Sequence, residues 1–258
     1  MCATCGCGDD GAVITVAGHD HPHHHHDHDG HDHVHTETIS LEQKVLAKND
    51  LLAEQNRDWL ATRNILALNV TSSPGAGKTT LLERTVRELT HTRPVAVIEG
   101  DQETLLDAER IQAAGARAVQ VNTGAGCHLD AAMVHRALEA LDPEPDSLLF
   151  IENVGNLVCP ALFDLGEHSK VVVVSVTEGT DKPLKYPHMF AASGLVLINK
   201  IDLLPYVDFD LETCCKYVRS INPEANILPM SATRGDGLDA WYDWIVTRAN
   251  PKQAATNR

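Results

Sequence analysis

The chain of 258 residues is 43% apolar and 22% charged, enough for one sizeable folded domain with an appendage. Its 36 acidic against 21 basic residues give a formal charge of −15, and only 4% of it is aromatic, so phosphate backbones, anionic bilayers and base-stacking surfaces all find a poor partner here. Neither nucleic acid nor membrane is an expected partner: no apolar run reaches the ~18 residues of a membrane span, and the start carries no basic and apolar leader pattern. Seven cysteines, an odd number in no framework-like spacing, fit thiols in a reducing cytoplasm.

Residues 1–38 read as a metal-binding extension and residues 39–258 as a P-loop domain. The extension opens on a Cys-Gly head (Met1 to Gly11), passes a short apolar run from Ala12 to Val16, and becomes a His-Asp tract from His19 to His35. The first 40 residues hold ten of the 15 histidines, three of the seven cysteines, and no Lys or Arg. Such a composition buries too little apolar surface to offset ordering, so the tract is expected to be disordered without metal. Ser40 with Gln43 forms a candidate capping box, opening a helix to about Thr62 with Leu41, Val45, Leu46, Leu52 and Leu60 on its apolar face.

Short apolar runs then alternate with helical stretches. The expected strands are Ile65–Val70, Val95–Glu99, Ala118–Val121, Leu148–Glu152, Val171–Val176, Leu195–Asn199 and Ile227–Pro229; the expected helices are roughly 78–91, 103–113, 129–141, 209–220 and 237–249. Strands without polar alternation, separated by helices, indicate an α/β fold with a mostly parallel sheet covered on both faces.

The first strand runs into Ser72-Ser73-Pro74-Gly75-Ala76-Gly77-Lys78-Thr79-Thr80, and a helix follows at once. Gly75 and Gly77 permit a tight loop around Ala76 whose N–H groups close on phosphate oxygens, and the helix start at Thr79 and Thr80 adds its dipole. Lys78 supplies a point charge at the β/γ-phosphates, and the Thr79 hydroxyl suits Mg²⁺. The general pattern carries Gly where this chain has Ser72. Further on, Asn199-Lys200-Ile201-Asp202 ends a strand, and Ser231-Ala232-Thr233 follows the next one. An Asp there accepts from guanine N1–H and the 2-amino group, which adenine lacks, while Lys200 lays its stem on the base and Asn199 braces the loops. GTP is the expected nucleotide.

With these two motifs stand Cys2-Ala3-Thr4-Cys5-Gly6-Cys7, Glu99-Gly100-Asp101, Gly126-Cys127-His128-Leu129-Asp130, and the run from Glu152-Asn153-Val154-Gly155-Asn156 to Cys159-Pro160. Together they make the chain resemble, over essentially its whole length, the hydrogenase nickel-incorporation GTPases, the HypB family of maturation factors within the dimerising P-loop GTPases. Asp101 and Glu152 each end a strand at the edge where ligands bind in open α/β folds. The resemblance makes them switch positions: Lys78, Asp101 and Glu152 the catalytic set, Thr79 and Asp101 the Mg²⁺ ligands, with strand position alone leaving the metal to either acid.

Cys2, Cys5 and Cys7 place three thiolates within six residues, suited to square-planar Ni²⁺ or tetrahedral Zn²⁺; the residues leave the choice open and the resemblance implies nickel. Cys127, His128 and Cys159 sit in loops leaving the same sheet edge, and the resemblance makes them a second Ni²⁺/Zn²⁺ site. Cys214 and Cys215, on an expected helix, read as structural. The resemblance also implies a homodimer promoted by GTP and metal, a companion factor of the HypA type, and a hydrogenase large-subunit precursor as client. Two other readings stand beside it. One is a nickel or zinc store with a vestigial GTPase domain, opposed by the intact Lys78, Thr79 and Asp202. The other is a urease-type maturation GTPase, which shares the loop and a His-rich start but lacks the three N-terminal cysteines.

Overall fold

The computed structural model describes residues 32–101, 106–124 and 126–249. The chain divides into two compact units, Met1–Lys48 and Asn49–Arg258; what is described of the first is helical. Helix α1 spans Asp32–Thr62, a run with neither Gly nor Pro to interrupt it. It is therefore already helical eight residues before Ser40, which lies inside the helix rather than capping it, and His33 and His35 at the end of the expected disordered tract are helical too. Its buried stripe follows the expected apolar one only in part: Leu60 is buried and Leu46 and Leu52 are half-buried, but Val45 is exposed, and Asn49, Ala53 and Asn56, spaced at helical intervals, are buried with Leu60.

Seven strands form one sheet: β1 (Leu66–Ser72), β2 (Val95–Asp101), β3 (Arg117–Asn122), β4 (Leu148–Glu152), β5 (Ser169–Ser175), β6 (Ser193–Asn199) and β7 (Asn226–Pro229). Their order is β3-β2-β4-β1-β5-β6-β7, and every ladder is parallel. All seven lie where the apolar runs place them, shifted by a residue or two at their ends. Helices α2 (Lys78–Leu89), α3 (Leu106–Ala113), α4 (Ala131–Leu141), α7 (Leu211–Ile221) and α8 (Leu238–Ala249) match the expected helical stretches. The short helices α5 (Lys182–Lys185) and α6 (Pro187–Ala191) were not foreseen. Pro183 and Pro187 each restart the helix within its first turn, so neither piece is long enough to display a period.

The core is built in two layers around the sheet. On one face Leu66, Leu68 and Val70 of β1 meet Leu81, Leu82 and Val86 of α2 with Trp241 and Ile245 of α8. On the other, Val172, Val174, Val196 and Ile198 meet Met189, Phe190, Cys214 and Val218. Burial on both faces is why β1 is buried at every position and shows no alternation. Cys214 is wholly enclosed, and burial pushes its thiol up to about 12, as a packing residue would have it.

Candidate nucleotide site and metal pocket

At the carboxyl edge of β1 the loop Ser73–Gly77 turns the chain into α2 around a cavity of about 600 Å³, within the usual size of a small-molecule site. Gly75 and Gly77 have φ of +75° and +100°, a region L side chains avoid, and a Cβ at Gly77 would meet Asn199 Nδ2 at 2.5 Å. Ser72, where the general motif has Gly, is not among the residues of positive φ and so needs no glycine. Its hydroxyl instead accepts from Lys78 Nζ at 3.1 Å. Ala76 is buried under the loop, while Thr80 is exposed one position past Thr79 and lines the cavity.

Asn199, Lys200, Asp202, Ser231 and Ala232, the expected base-side residues, come together beside the phosphate loop. Asn199 donates from Nδ2 to the Ala76 carbonyl at 2.9 Å and accepts at Oδ1 from the N–H of Lys200 and of Ala232, at 2.8 and 2.9 Å. One side chain thereby clamps the phosphate loop to both base-side segments. Lys200, at φ 63°, donates to the Gly75 carbonyl at 2.6 Å, and the Ser231 hydroxyl donates to Asp202 Oδ1 at 2.6 Å. Asp202 keeps its second oxygen for another donor.

Beside the loop lies a knot of carboxylates. The parallel register sets Glu99 of β2 level with Glu152 of β4, and both are almost wholly buried. Burial pushes both carboxyls upward; each also feels the other, and Lys78 draws both back down. Lys78 Nζ is 3.9 Å from Glu152 Oε1, and the Thr79 hydroxyl donates to Glu152 Oε1 at 2.8 Å with Asp107 Oδ2 also within reach at 3.2 Å. Asp101 ends β2 and lines the same cavity. Glu99 Oε2 and Glu152 Oε2 are buried with no hydrogen-bond partner. Hard oxygen donors around a threonine hydroxyl, with buried lone pairs unspent, fit Mg²⁺. Thr79, Glu152 and Asp101 would hold it, with Glu99 and Asp107 close by. The sequence reading gave Glu99 and Asp107 no role. Glu99 joins the site through the β2–β4 register and Asp107 through the placement of α3, neither of which a local sequence pattern reveals.

The second cluster opens into the same cavity, which Cys127 lines. The ligand atoms of Cys127, His128 and Cys159 all lie within 4.8 Å of one another, with Cys127 Sγ 3.1 Å from Cys159 Sγ and 3.6 Å from His128 Nδ1. A turn from Thr123 to Gly126, closed in both directions, delivers Cys127, and Asp130 caps α4 by accepting from Met133 N–H at 2.7 Å. Cys159 starts a buried 3₁₀ turn that its neighbour Pro160 favours. The His128 ring packs on Phe163 at 4.0 Å between centroids, and burial holds its pKa below the usual range against the pull of Asp130. Two thiols and a predominantly neutral imidazole suit a borderline-soft ion such as Ni²⁺ or Zn²⁺. Cys2, Cys5 and Cys7 fall outside the described residues.

Fold and site together define a P-loop nucleotide-binding protein with a Cys/His pocket beside its phosphate loop. The chain belongs to the CobW/HypB/UreG family, whose nucleotide-binding domain model matches residues 66–229. It is 58% identical over 210 residues to hydrogenase maturation factor HypB of Escherichia coli strain K12, covering 81% of this chain and 72% of that one. Crystal structures of HypB from Archaeoglobus fulgidus and of HypB from Helicobacter pylori in complex with nickel both superpose with a TM-score of 0.74. The first is 40% identical over 79% of this chain and 100% of its own; the second is 36% identical over 80% and 96%. Among the described residues no helix is long and apolar enough to cross a membrane.

Proposed function

We propose that this protein is a GTP-hydrolysing nickel metallochaperone that helps load Ni²⁺ into a nickel-iron hydrogenase precursor, working as a homodimer with a HypA-type companion in the cytoplasm. The observation that carries the proposal is the shared cavity: Cys127, one of three converging metal donors, lines the same space as Lys78, Thr79 and Glu152. An ion in that pocket sits where a change at the γ-phosphate is felt directly. Likeness to a HypB in complex with nickel supports Ni²⁺ as the cargo; Zn²⁺ would satisfy the same donors.

In this reading Asp202, oriented by Ser231, receives the guanine N1–H and 2-amino groups, and Lys200 covers the base. The N–H groups of Gly75 to Thr80 receive the phosphates. Lys78 leaves Ser72 for the β/γ-phosphate oxygens, which carry more negative charge than a hydroxyl. Mg²⁺ supplies charge neutralisation across those oxygens when bound. Water adds to the γ-phosphorus as its bond to the β–γ bridging oxygen breaks, giving GDP and phosphate. Arg110 lines the cavity but its guanidinium is paired with Glu83 and Asp107, so it is engaged away from the γ-phosphate in this state, and intrinsic turnover is expected to be slow. The proposal is tested by phosphate release from GTP and from ATP, with nickel bound per chain measured in parallel. Nickel binding without phosphate release would leave a metal store in place of a GTPase.

A further inference from the structure

Asn153, directly after Glu152, is 1% exposed and has no part in binding nucleotide or metal as described above. Its Oδ1 accepts from the N–H of Leu129 at 3.1 Å, and Leu129 follows His128 in the chain. Its Nδ2 donates to Asn69 Oδ1 at 3.4 Å, Asn69 Nδ2 donates to Glu167 Oε1 at 3.1 Å, and Glu167 Oε2 accepts from Leu165 N–H at 2.7 Å. Lys170 pairs with Glu167 at 3.0 Å and donates to the Phe163 carbonyl at 3.0 Å, and Phe163 is the ring against His128. Asn69 is 0% and Glu167 7% exposed, so this polar line is sealed from water. At one end it holds the backbone beside His128, and at the other the segment that carries Phe163.

At its middle, Asn153 belongs to the segment that meets the nucleotide. Glu152, Asn153 and Gly155 all line the phosphate cavity, and a Cβ on Gly155 would lie 3.0–3.3 Å from Pro74 of the phosphate loop. Asn156 in the same segment donates to the Cys127 carbonyl at 3.2 Å. A shift of residues 152–156 on nucleotide binding must therefore break or drag bonds to Cys127 and Leu129. A buried amide left without its partner bears its desolvation with nothing in return, so dragging is favoured over breaking.

We infer that Asn153 is the positioning residue that transmits nucleotide occupancy to the metal pocket, through the buried line Leu129–Asn153–Asn69–Glu167–Leu165. It rests on the function proposed above and specifies how that function is wired. A chain of hydrogen bonds carries coupling only if the element at its centre has two positions. The Asn153→Asp variant separates the two halves: it keeps an oxygen for the N–H of Leu129 and for that of Val154, which also donates to Oδ1 at 3.0 Å, and loses the donor to Asn69.

The test is amide hydrogen exchange on the full-length, metal-free protein, with GDP and with a non-hydrolysable GTP analogue plus Mg²⁺. In the wild type, Leu129 and Leu165 N–H change protection between the two states. In Asn153→Asp the response at Leu129 persists and that at Leu165 is lost. The nickel affinity ratio between the two states, roughly 5–150-fold for coupled sites, shrinks in the variant as the Asn69 arm is lost while the Leu129 arm remains, whereas a merely structural defect would lower both affinities alike. Unchanged exchange at Leu129 and Leu165 in the wild type overturns the inference, as does a variant that keeps the full ratio. Failure of the underlying function reads differently, as nickel binding that is indifferent to Cys127→Ala.

Discussion

Asp202 and Lys78 show how much a single side chain decides at the nucleotide site. Asp202 Oδ1 is occupied by Ser231, so its selectivity resides in the one oxygen still open to a base. Asp202→Asn replaces an acceptor with an amide that donates to the 2-carbonyl of xanthine. The variant should prefer xanthosine triphosphate to GTP, because unpaired polar groups in a closed site discriminate by orders of magnitude. Competition between the two nucleotides measures it, and an undiminished preference for GTP would sink the base assignment. Lys78→Ala removes the cation between Ser72 and Glu152. It should lower hydrolysis at least a hundredfold, about 3 kcal/mol in the barrier, and leave nickel binding intact. A variant that lost hydrolysis and metal together would instead make Lys78 a structural support of the pocket.

At the scale of elements, α1 and the segment 152–156 carry what the sequence did not disclose. Helix α1 was legible as a helix, but its buried face is polar at two of four positions, so an apolar period finds Leu60 and misses Asn49 and Asn56. Asn49 accepts from Ala131 N–H at 2.9 Å and donates to the Asp164 carbonyl at 2.8 Å; Asn56 donates to the carbonyls of Ala131 and Leu165 at 2.9 and 3.1 Å. Both asparagines thus tie the start of α4, three residues past His128, to the segment that carries Phe163. Partners so distant in sequence leave no local signal. The parallel sheet, by contrast, was plain from its unbroken apolar runs, and the phosphate loop from its position between strand and helix. Asn56→Ala should cost about 2 kcal/mol by orphaning two carbonyls, and should weaken nickel binding at Cys127, His128 and Cys159 without altering GTP affinity. Urea unfolding and nickel titration check the two halves. The Gly155→Ala change presses a methyl on Pro74; it should cost about 1–2 kcal/mol in stability and slow hydrolysis more than it weakens GTP binding. Equal loss of kcat and affinity would mean that the contact only shapes the cavity.

Across the whole molecule, metal donors are concentrated in two regions of different chemistry. The internal Cys/His cluster is fixed by the sheet edge and opens through Cys127 into the cavity at the phosphate loop, whereas the extension has its thiols and imidazoles along one short stretch of sequence. Cys2, Cys5 and Cys7 lie within six residues, so closing them around one ion fixes few backbone dihedrals. The eight histidines between His19 and His31 are spread over more chain and offer neutral nitrogen in place of thiolate, so each ion held there orders more residues for a weaker bond. Removing residues 19–31 leaves α1 and every described residue in place. It should lower the number of nickel ions bound per chain while leaving the tightest site and the rate of GTP hydrolysis unchanged. Equilibrium dialysis with stoichiometry read over a wide nickel range decides it. If the tightest nickel disappears with the tract, the imidazoles and not the thiolates hold the principal ion, and the three N-terminal cysteines need another role.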